Sequence, residues 1–508
     1  MDFITHLIYQ VFAYSEAEPI IFTRLSFWIF FTVLLVGYLF IYNRPSIRNL
    51  YLLLFSLYFY YKSSGLFIIL LIFSTVANYL IAFKIAGGGK RSIRKWWVAL
   101  SIFINLLMLS YFKYSYFIID LVNSIFSKDI TVVNTLAVWS NSLLKTTFDV
   151  SMILLPVGIS FYSFQIISYT VDVYRKKVEP LHNFVDFAFY VSFFPQLVAG
   201  PIVRAAEFIP QLRRKYSLTF NEFGYALFLI LAGLVKKMVI SDYISISFVD
   251  RVFDSPLSYS GFENLMAMYG YALQIYCDFS GYTDIAIGIA LVLGFRLPVN
   301  FNSPYKATSI TDFWHRWHIS LSTWLRDYLY ISLGGNRKGK LRTNVNLMIT
   351  MLLGGLWHGA NLKFIVWGGI HGVVLVFEKL FKRNIRHEAK RSNIKRFISF
   401  LITFHVVCFA WIFFRAENFT AAIAMIRQIF TRIGLSSIPQ VMVAYSNVFW
   451  LMLIGFVIHW LPYTLVERVR GAFIDSPVWV KGIITIAVAI LIVQFQSSAL
   501  QPFIYFRF

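Results

Sequence analysis

The 508-residue chain is 58% hydrophobic, 19% aromatic and only 14% charged, with a mean hydropathy of +0.67, a composition that excludes a soluble globular domain and fits a polytopic membrane protein. Its 46 basic and 24 acidic residues leave a net charge of +22. The basic residues cluster between apolar runs with no soluble basic domain to carry them, which speaks for topology control and anionic lipid and against nucleic-acid binding. Cys277 and Cys408 are the only cysteines, so neither a disulfide framework nor a thiolate metal site follows.

In chain order, Met1 to Glu18 lacks a basic leader region and a small-residue cleavage site, so the first span is expected to be uncleaved. Apolar runs then recur near 24–42, 48–61, 65–84, 96–119, 150–170, 183–203, 222–241, 261–277, 280–296, 343–357, 361–380, 397–415, 446–463 and 478–496. The length needed to cross hydrocarbon as a helix predicts about 11 to 13 membrane helices, some of them re-entrant. The expected fold class is therefore an all-α polytopic membrane protein. It is read as one integral membrane domain with N-terminal helices at 1–150, a core at 151–417 and C-terminal helices at 418–508.

The loop from Lys84 to Lys95 carries Lys84, Lys90, Arg91, Arg94 and Lys95 without an acid and is expected to be cytoplasmic. Counting back three spans places Asp2, Glu16 and Glu18 outside. The segment from Lys379 to Arg396, with eight basic residues against Glu388 alone, is a second cytoplasmic candidate.

Between Gln274 and Gly288, Asp278 and Asp284 fall at membrane depth and call for partners, with Arg296 or Arg316 as candidates. Two acids six positions apart do not share a helix face, which favours separate structural pairs over an ion pathway.

Ser309 and Asp312 fit a capping box that starts a helix before a run of tryptophans. Trp314, Trp317, Leu321, Trp324 and Tyr328 recur at three- and four-residue spacing on one face, and His315, His318, Ser322 and Arg326 on another. The pattern alone describes a shallow interfacial helix anchored by its tryptophans, with the polar stripe turned inward. The following Gly-rich loop, Leu333 to Arg342, sets Arg337, Lys338, Lys340 and Arg342 among glycines, either a solvated turn or a cradle for an anionic donor. His358 lies in an apolar stretch among Gly354, Gly355, Gly359, Gly368 and Gly372, whose small-xxx-small pairs let helices approach closely. Such an imidazole either bonds a neighbouring helix or takes a proton from a hydroxyl as that oxygen attacks a carbonyl. No zinc-ligand spacing converges on it.

Several of these segments, taken together and in order, carry a family likeness. They are Pro156-Val-Gly-Ile-Ser-Phe-Tyr-Ser-Phe-Gln165, Asp172-Val-Tyr-Arg175, Phe193-Phe-Pro-Gln-Leu-Val-Ala-Gly-Pro-Ile202 and Tyr276-Cys-Asp-Phe-Ser-Gly-Tyr-Thr-Asp284. Further along come Phe313-Trp-His-Arg-Trp-His318, Leu333-Gly-Gly-Asn-Arg337, Gly355-Leu-Trp-His-Gly359 and Trp411-Ile-Phe-Phe-Arg-Ala-Glu417. On these the chain resembles the membrane-bound O-acyltransferases (MBOAT), in particular the alginate O-acetyltransferase AlgI-like branch. The resemblance implies a ring of tilted helices around a central tunnel that reaches a catalytic histidine from both membrane faces. It implies His358 in that role, with His318 as the second active-site residue. Trp357, Asp278, Arg316, Trp314 and Asn361 are the candidates to line the substrate path, Asn361 also as an oxyanion donor, and Arg337 and Lys338 the candidates to hold the acyl donor.

The function so implied is transfer of an acetyl group from a cytoplasmic thioester, acetyl-CoA or an acyl carrier, to an extracytoplasmic acceptor for O-acetylation of an exported polysaccharide such as alginate. It implies no bound cofactor or metal, a bacterial inner-membrane location, and periplasmic or cell-surface O-acetylation proteins as partners. Transfer of D-alanine or another acyl group to an envelope polymer shares the motifs. A transporter or flippase using Asp278, Asp284 and the histidines is the reading from another class.

Overall fold

The computed structural model describes residues 14–15, 19–144, 149–198, 200–381, 392–495 and 503, and every secondary-structure element among them is helical. Asp2, Glu16, Glu18 and residues 382–391 of the basic segment lie outside the described residues. The helices cluster into two compact units. The first draws on Met1–Val198, Ile202–Tyr216 and Gly359–Asn361, the second on Ala199–Pro201, Ser217–His358 and Leu362–Phe508.

In the first unit, α1 (Leu25–Tyr38) and α2 (Pro45–Ser64) are followed by α3 (Ile68–Ala86), α4 (Arg91–Leu109), α5 (Ser115–Phe126), α6 (Thr135–Leu144), α7 (Ile159–Tyr174) and α8 (Phe184–Ser192). Pro45 opens α2 at a position where its missing N–H costs nothing, and Gly65, at φ 59°, turns the chain toward α3. Apolar burial gives little drive to helix pairing in lipid, so α3, α4 and α7 are joined by a buried polar ladder. Ser74 donates to Asn105 at 2.9 Å, Ser101 donates to Asn78 at 2.6 Å, and Ser101 meets Thr170 at 2.9 Å. At another point of the unit the buried Arg48 donates to the carbonyls of Leu212 and Arg214, at 2.9 and 3.1 Å, and pins the segment after α8.

The second unit contains α9 (Phe220–Leu234), α10 (Gly261–Val292), α11 (Ile310–Arg316), α12 (Ile319–Trp324), α13 (Gly339–His358) and α14 (Leu362–Phe381). It continues with α15 (Asn393–Arg415), α16 (Phe419–Thr431), α17 (Ser446–Trp460), α18 (Tyr463–Asp475) and α19 (Val478–Phe495). Full capping boxes start α9, from Thr219 and Glu222, and α10, from Ser260 and Glu263. These two helices pack backbone to backbone, for a Cβ on Gly233 would stand 2.5 Å from the Gly281 carbonyl oxygen. The close approach sets the register that brings Lys236 to Asp284 and Lys237 to Asp278, both at 2.6 Å, with Lys237 also 2.7 Å from Asp242. The arginines expected to pair with these acids lie elsewhere, Arg296 on Glu222 and Arg316 on Asp312.

Among the described residues seven helical runs are long and apolar enough to cross a bilayer, or eight with the pair bent by 86° at Tyr445. That is fewer than the eleven to thirteen expected, for four physical reasons. The 48–61 and 65–84 runs belong to one continuous 42-residue stretch, Pro45–Ala86. The 183–203 run breaks at Phe193, before Pro195, into Phe184–Ser192 and Phe194–Leu197. α1 and α7, at 14 and 16 residues, are shorter than a crossing, and α13 opens on the polar turns Gly339 to Asn346.

Candidate active site

His358 is the last residue of α13 and is 2% exposed. α13 and α14 reach it through glycine contact, because Gly355 and Gly368 face each other so tightly that a Cβ on either would lie 3.3 Å from the other's Cα. This brings the Trp367 ring within 5.0 Å of the imidazole. Phe414 of α15 lies at 5.2 Å and Trp357 at 5.1 Å, so the histidine is walled by aromatic rings.

His318 arrives by a different route. Ser309 caps α11 as its sequence predicts, accepting from the Asp312 N–H at 3.0 Å, while the Asp312 carboxylate turns to the N–H of Thr308 rather than back to Ser309. A second cap comes from α14, where Glu378 accepts from the N–H groups of Ile310 and Thr311 and from the Thr311 hydroxyl. The helix then stops, and His318 takes a left-handed conformation with φ 43° before α12 begins. The continuous amphipathic helix expected over 311–328 is therefore broken. Its polar stripe splits, with His315 exposed and His318 fully buried. The tryptophans expected to anchor at an interface instead face protein, with Trp317 1% exposed.

The His318 ring lies 4.6 Å from Phe279 and 6.2 Å from Trp357, which also borders His358. The two histidines thus share one indole as their common neighbour. Asn300, a residue the spacing of motifs does not single out, meets His318 Nδ1 at 3.2 Å through its Oδ1. Burial pushes the His318 pKa down to about 3, which keeps the ring neutral at physiological pH.

Of the remaining candidates, Trp314 packs 5.7 Å from Trp367 and 5.3 Å from His371, which places it in the same aromatic cluster. Asp278 precedes Phe279 and is held by Lys237. Arg316 is half-exposed and bound to Asp312 and to the Asn302 carbonyl. Arg337 and Lys338 are exposed on a loop whose Gly334 and Gly335 have φ of 110° and 56°. Asn361 is exposed and belongs to the first unit. Lys236, Lys237, Asn300 and Glu378 are the residues that sequence reasoning passed over.

The family model described as MBOAT, membrane-bound O-acyltransferase family, matches residues 53–423. The chain is 42% identical over 385 residues to the probable alginate O-acetylase AlgI of Pseudomonas aeruginosa, covering 76% of this chain and 70% of that protein. It is 37% identical to the peptidoglycan O-acetyltransferase of Helicobacter pylori, over 76% and 74% of the two chains. It is 30% identical to the teichoic acid D-alanyltransferase of Bacillus subtilis, over 52% and 69%. The chain belongs to the membrane-bound O-acyltransferase family and is a multi-pass membrane enzyme.

Proposed function

We propose that the protein transfers an acetyl group from a cytoplasmic thioester to a hydroxyl on the other side of the bilayer, for O-acetylation of an exported polysaccharide. The observation that carries this is the pair of buried imidazoles, His318 and His358, that both neighbour Trp357. The relatives support the polymer class, since those named above are called an alginate O-acetylase, a peptidoglycan O-acetyltransferase and a teichoic acid D-alanyltransferase.

His358 takes the proton of the acceptor hydroxyl as its oxygen bonds to the thioester carbonyl carbon. Collapse of the tetrahedral intermediate breaks the C–S bond, and the departing thiolate receives the proton from the imidazolium. His318, held neutral, orients the acceptor. General-base help is worth about 100- to 10,000-fold, so positioning and exclusion of water supply the remainder. In this reading donor and acceptor reach the base, which is 2% exposed, along a passage within the helices. The donor is acetyl-CoA or an acyl carrier, and Arg337 and Lys338 meet its phosphate. In this reading the protein sits in a bacterial inner membrane with its N-terminus outside. Periplasmic or cell-surface proteins with a hydroxyl nucleophile complete the transfer to sugar.

The test is the O-acetyl content of the cell's exported polymer with His358→Ala at matched membrane abundance. Loss of the ester is expected, and unchanged content rejects the catalytic role. Mass spectrometry of the same polymer distinguishes acetyl from D-alanyl ester.

A further inference from the structure

One buried imidazole has no part in this chemistry. His371 lies one helical turn beyond Trp367 on α14, is fully buried, and neither of its ring nitrogens has a hydrogen-bond partner among the described residues. The indole nitrogens of Trp314 and Trp367 are in the same condition. The three rings form one cluster, with His371 5.3 Å from Trp314 and 5.0 Å from Trp367, and the two indoles 5.7 Å apart. Four orphaned polar atoms therefore belong to one ring cluster, whose Trp367 ring also lies 5.0 Å from that of His358.

The cluster differs from two neighbouring rings, each of which has a polar atom with a partner. Trp411, stacked 5.6 Å from Trp367, donates its indole N–H to the Tyr305 hydroxyl at 3.2 Å. His459 accepts from the Tyr305 N–H at 3.1 Å through Nε2, whereas its Nδ1 has no partner among the described residues and His371 lacks one at both nitrogens. Buried polar groups left without a partner are costly and call for an occupant or a task.

The chemistry of the orphaned atoms says which occupant fits. An indole N–H only donates, and a neutral imidazole donates from one nitrogen, so the cluster presents three donors against one acceptor. It suits an oxygen that accepts several hydrogen bonds and carries no proton of its own. We propose that Trp314, Trp367 and His371 form the acyl-carbonyl subsite, whose N–H groups take the thioester oxygen and stabilise the oxyanion formed as the acceptor attacks. As the acceptor oxygen bonds to the carbonyl carbon, the C=O π pair moves onto that oxygen. The proton goes to His358 and then to the leaving thiolate. Donors preorganised among apolar rings strengthen as charge develops, which is the requirement for an oxyanion hole. This replaces Asn361 as oxyanion donor, and it rests on the reading of His358 as the base.

A resident water would satisfy the same atoms, and the experiment separates the two sources. Trp314→Phe, Trp367→Phe, His371→Phe and His371→Gln are made in the full chain and assayed in native membranes for kcat and KM of acyl transfer, with thermal stability measured alongside. Each Phe variant keeps a ring and loses the donor, and is expected to lower kcat about 100-fold with KM little changed. His371→Gln, which keeps a donor, is expected to retain more activity than His371→Phe. Wild-type kcat in the Phe variants with reduced stability shows a structural water or a packing cluster and overturns the subsite. His358→Ala is the companion measurement. Loss there beside full activity in the Phe variants overturns the subsite alone, whereas activity retained in His358→Ala overturns the base reading and the subsite built on it.

Discussion

Asn300 decides which nitrogen of His318 carries the proton. Its Oδ1 accepts the Ser320 N–H at 3.1 Å and the Ser320 hydroxyl at 2.9 Å, so the atom facing His318 Nδ1 at 3.2 Å is an oxygen and Nδ1 must donate. The lone pair then belongs to Nε2, so in the proposed reaction a neutral His318 would offer the substrate an acceptor rather than a donor. Asn300→Leu removes that control together with two further buried hydrogen bonds. The expected result is lower stability and a fall in acyl transfer of about 10- to 100-fold, from the roughly 1–3 kcal/mol cost of a broken buried hydrogen bond. The rate of polymer O-acylation per membrane-resident molecule checks it, and an unchanged rate would dismiss tautomer control.

Lys237 is the counter-charge that makes a carboxylate at position 278 tolerable. Its ammonium bridges Asp278 and Asp242 and is almost wholly buried. Removing one member of a buried pair costs about 3–5 kcal/mol, while replacing both by apolar groups can be near neutral. Lys237→Met is therefore expected to lower the thermal midpoint in detergent sharply, and Lys237→Met with Asp278→Leu to recover part of the loss. A single mutant as stable as the parent would show that the pair does not hold the segment after α9 on α10.

These two cases mark the limit of what the chain discloses before folding. The helical class, the cap at Ser309, the glycine contact near His358 and the need for partners at Asp278 and Asp284 all follow from local spacing and the cost of charge in lipid. The partners themselves do not, because Lys237 and Asp278 stand 41 positions apart and meet only where Gly233 and Gly281 let two backbones touch. His318 is harder still. The helical period assigned it the same face as His315, and no glycine or proline signals the left-handed residue that turns one outward and the other inward. Asn300 lies in an irregular stretch where periodicity carries no information.

The placement of that turn depends on Glu378. Its carboxylate accepts two backbone N–H groups and a hydroxyl at the start of α11, so that α14 fixes by hydrogen bonds, beside its ring contacts, a short helix that leads into His318. Loss of a helix N-cap costs about 1–2 kcal/mol. Glu378→Ala is expected to reduce stability by that amount and acyl transfer with it, and Glu378→Gln, with one acceptor oxygen left, to fall between. Equal behaviour of Glu378→Ala and the parent in a melting curve would remove the cap from the account.

The last prediction concerns how α13 presents His358 to Trp367. A methyl group on Gly355 would stand 2.2 Å from the Phe364 carbonyl oxygen, and one on Gly368 would stand 2.3 Å from that of Met351. Both obstacles are backbone, so the helices must part, and overpacking of this kind costs about 1–3 kcal/mol. Gly355→Ala is expected to lose acyl transfer and stability together, because separation draws the indole away from the imidazole. Gly369 is the control, since its added methyl would meet only Leu352 Cδ2 at an ordinary 3.6 Å. Gly369→Ala is expected to keep full activity and to gain up to about 1 kcal/mol from helix propensity. Identical losses in the two variants would mean that general helix perturbation, and not the Gly355–Gly368 contact, governs the site.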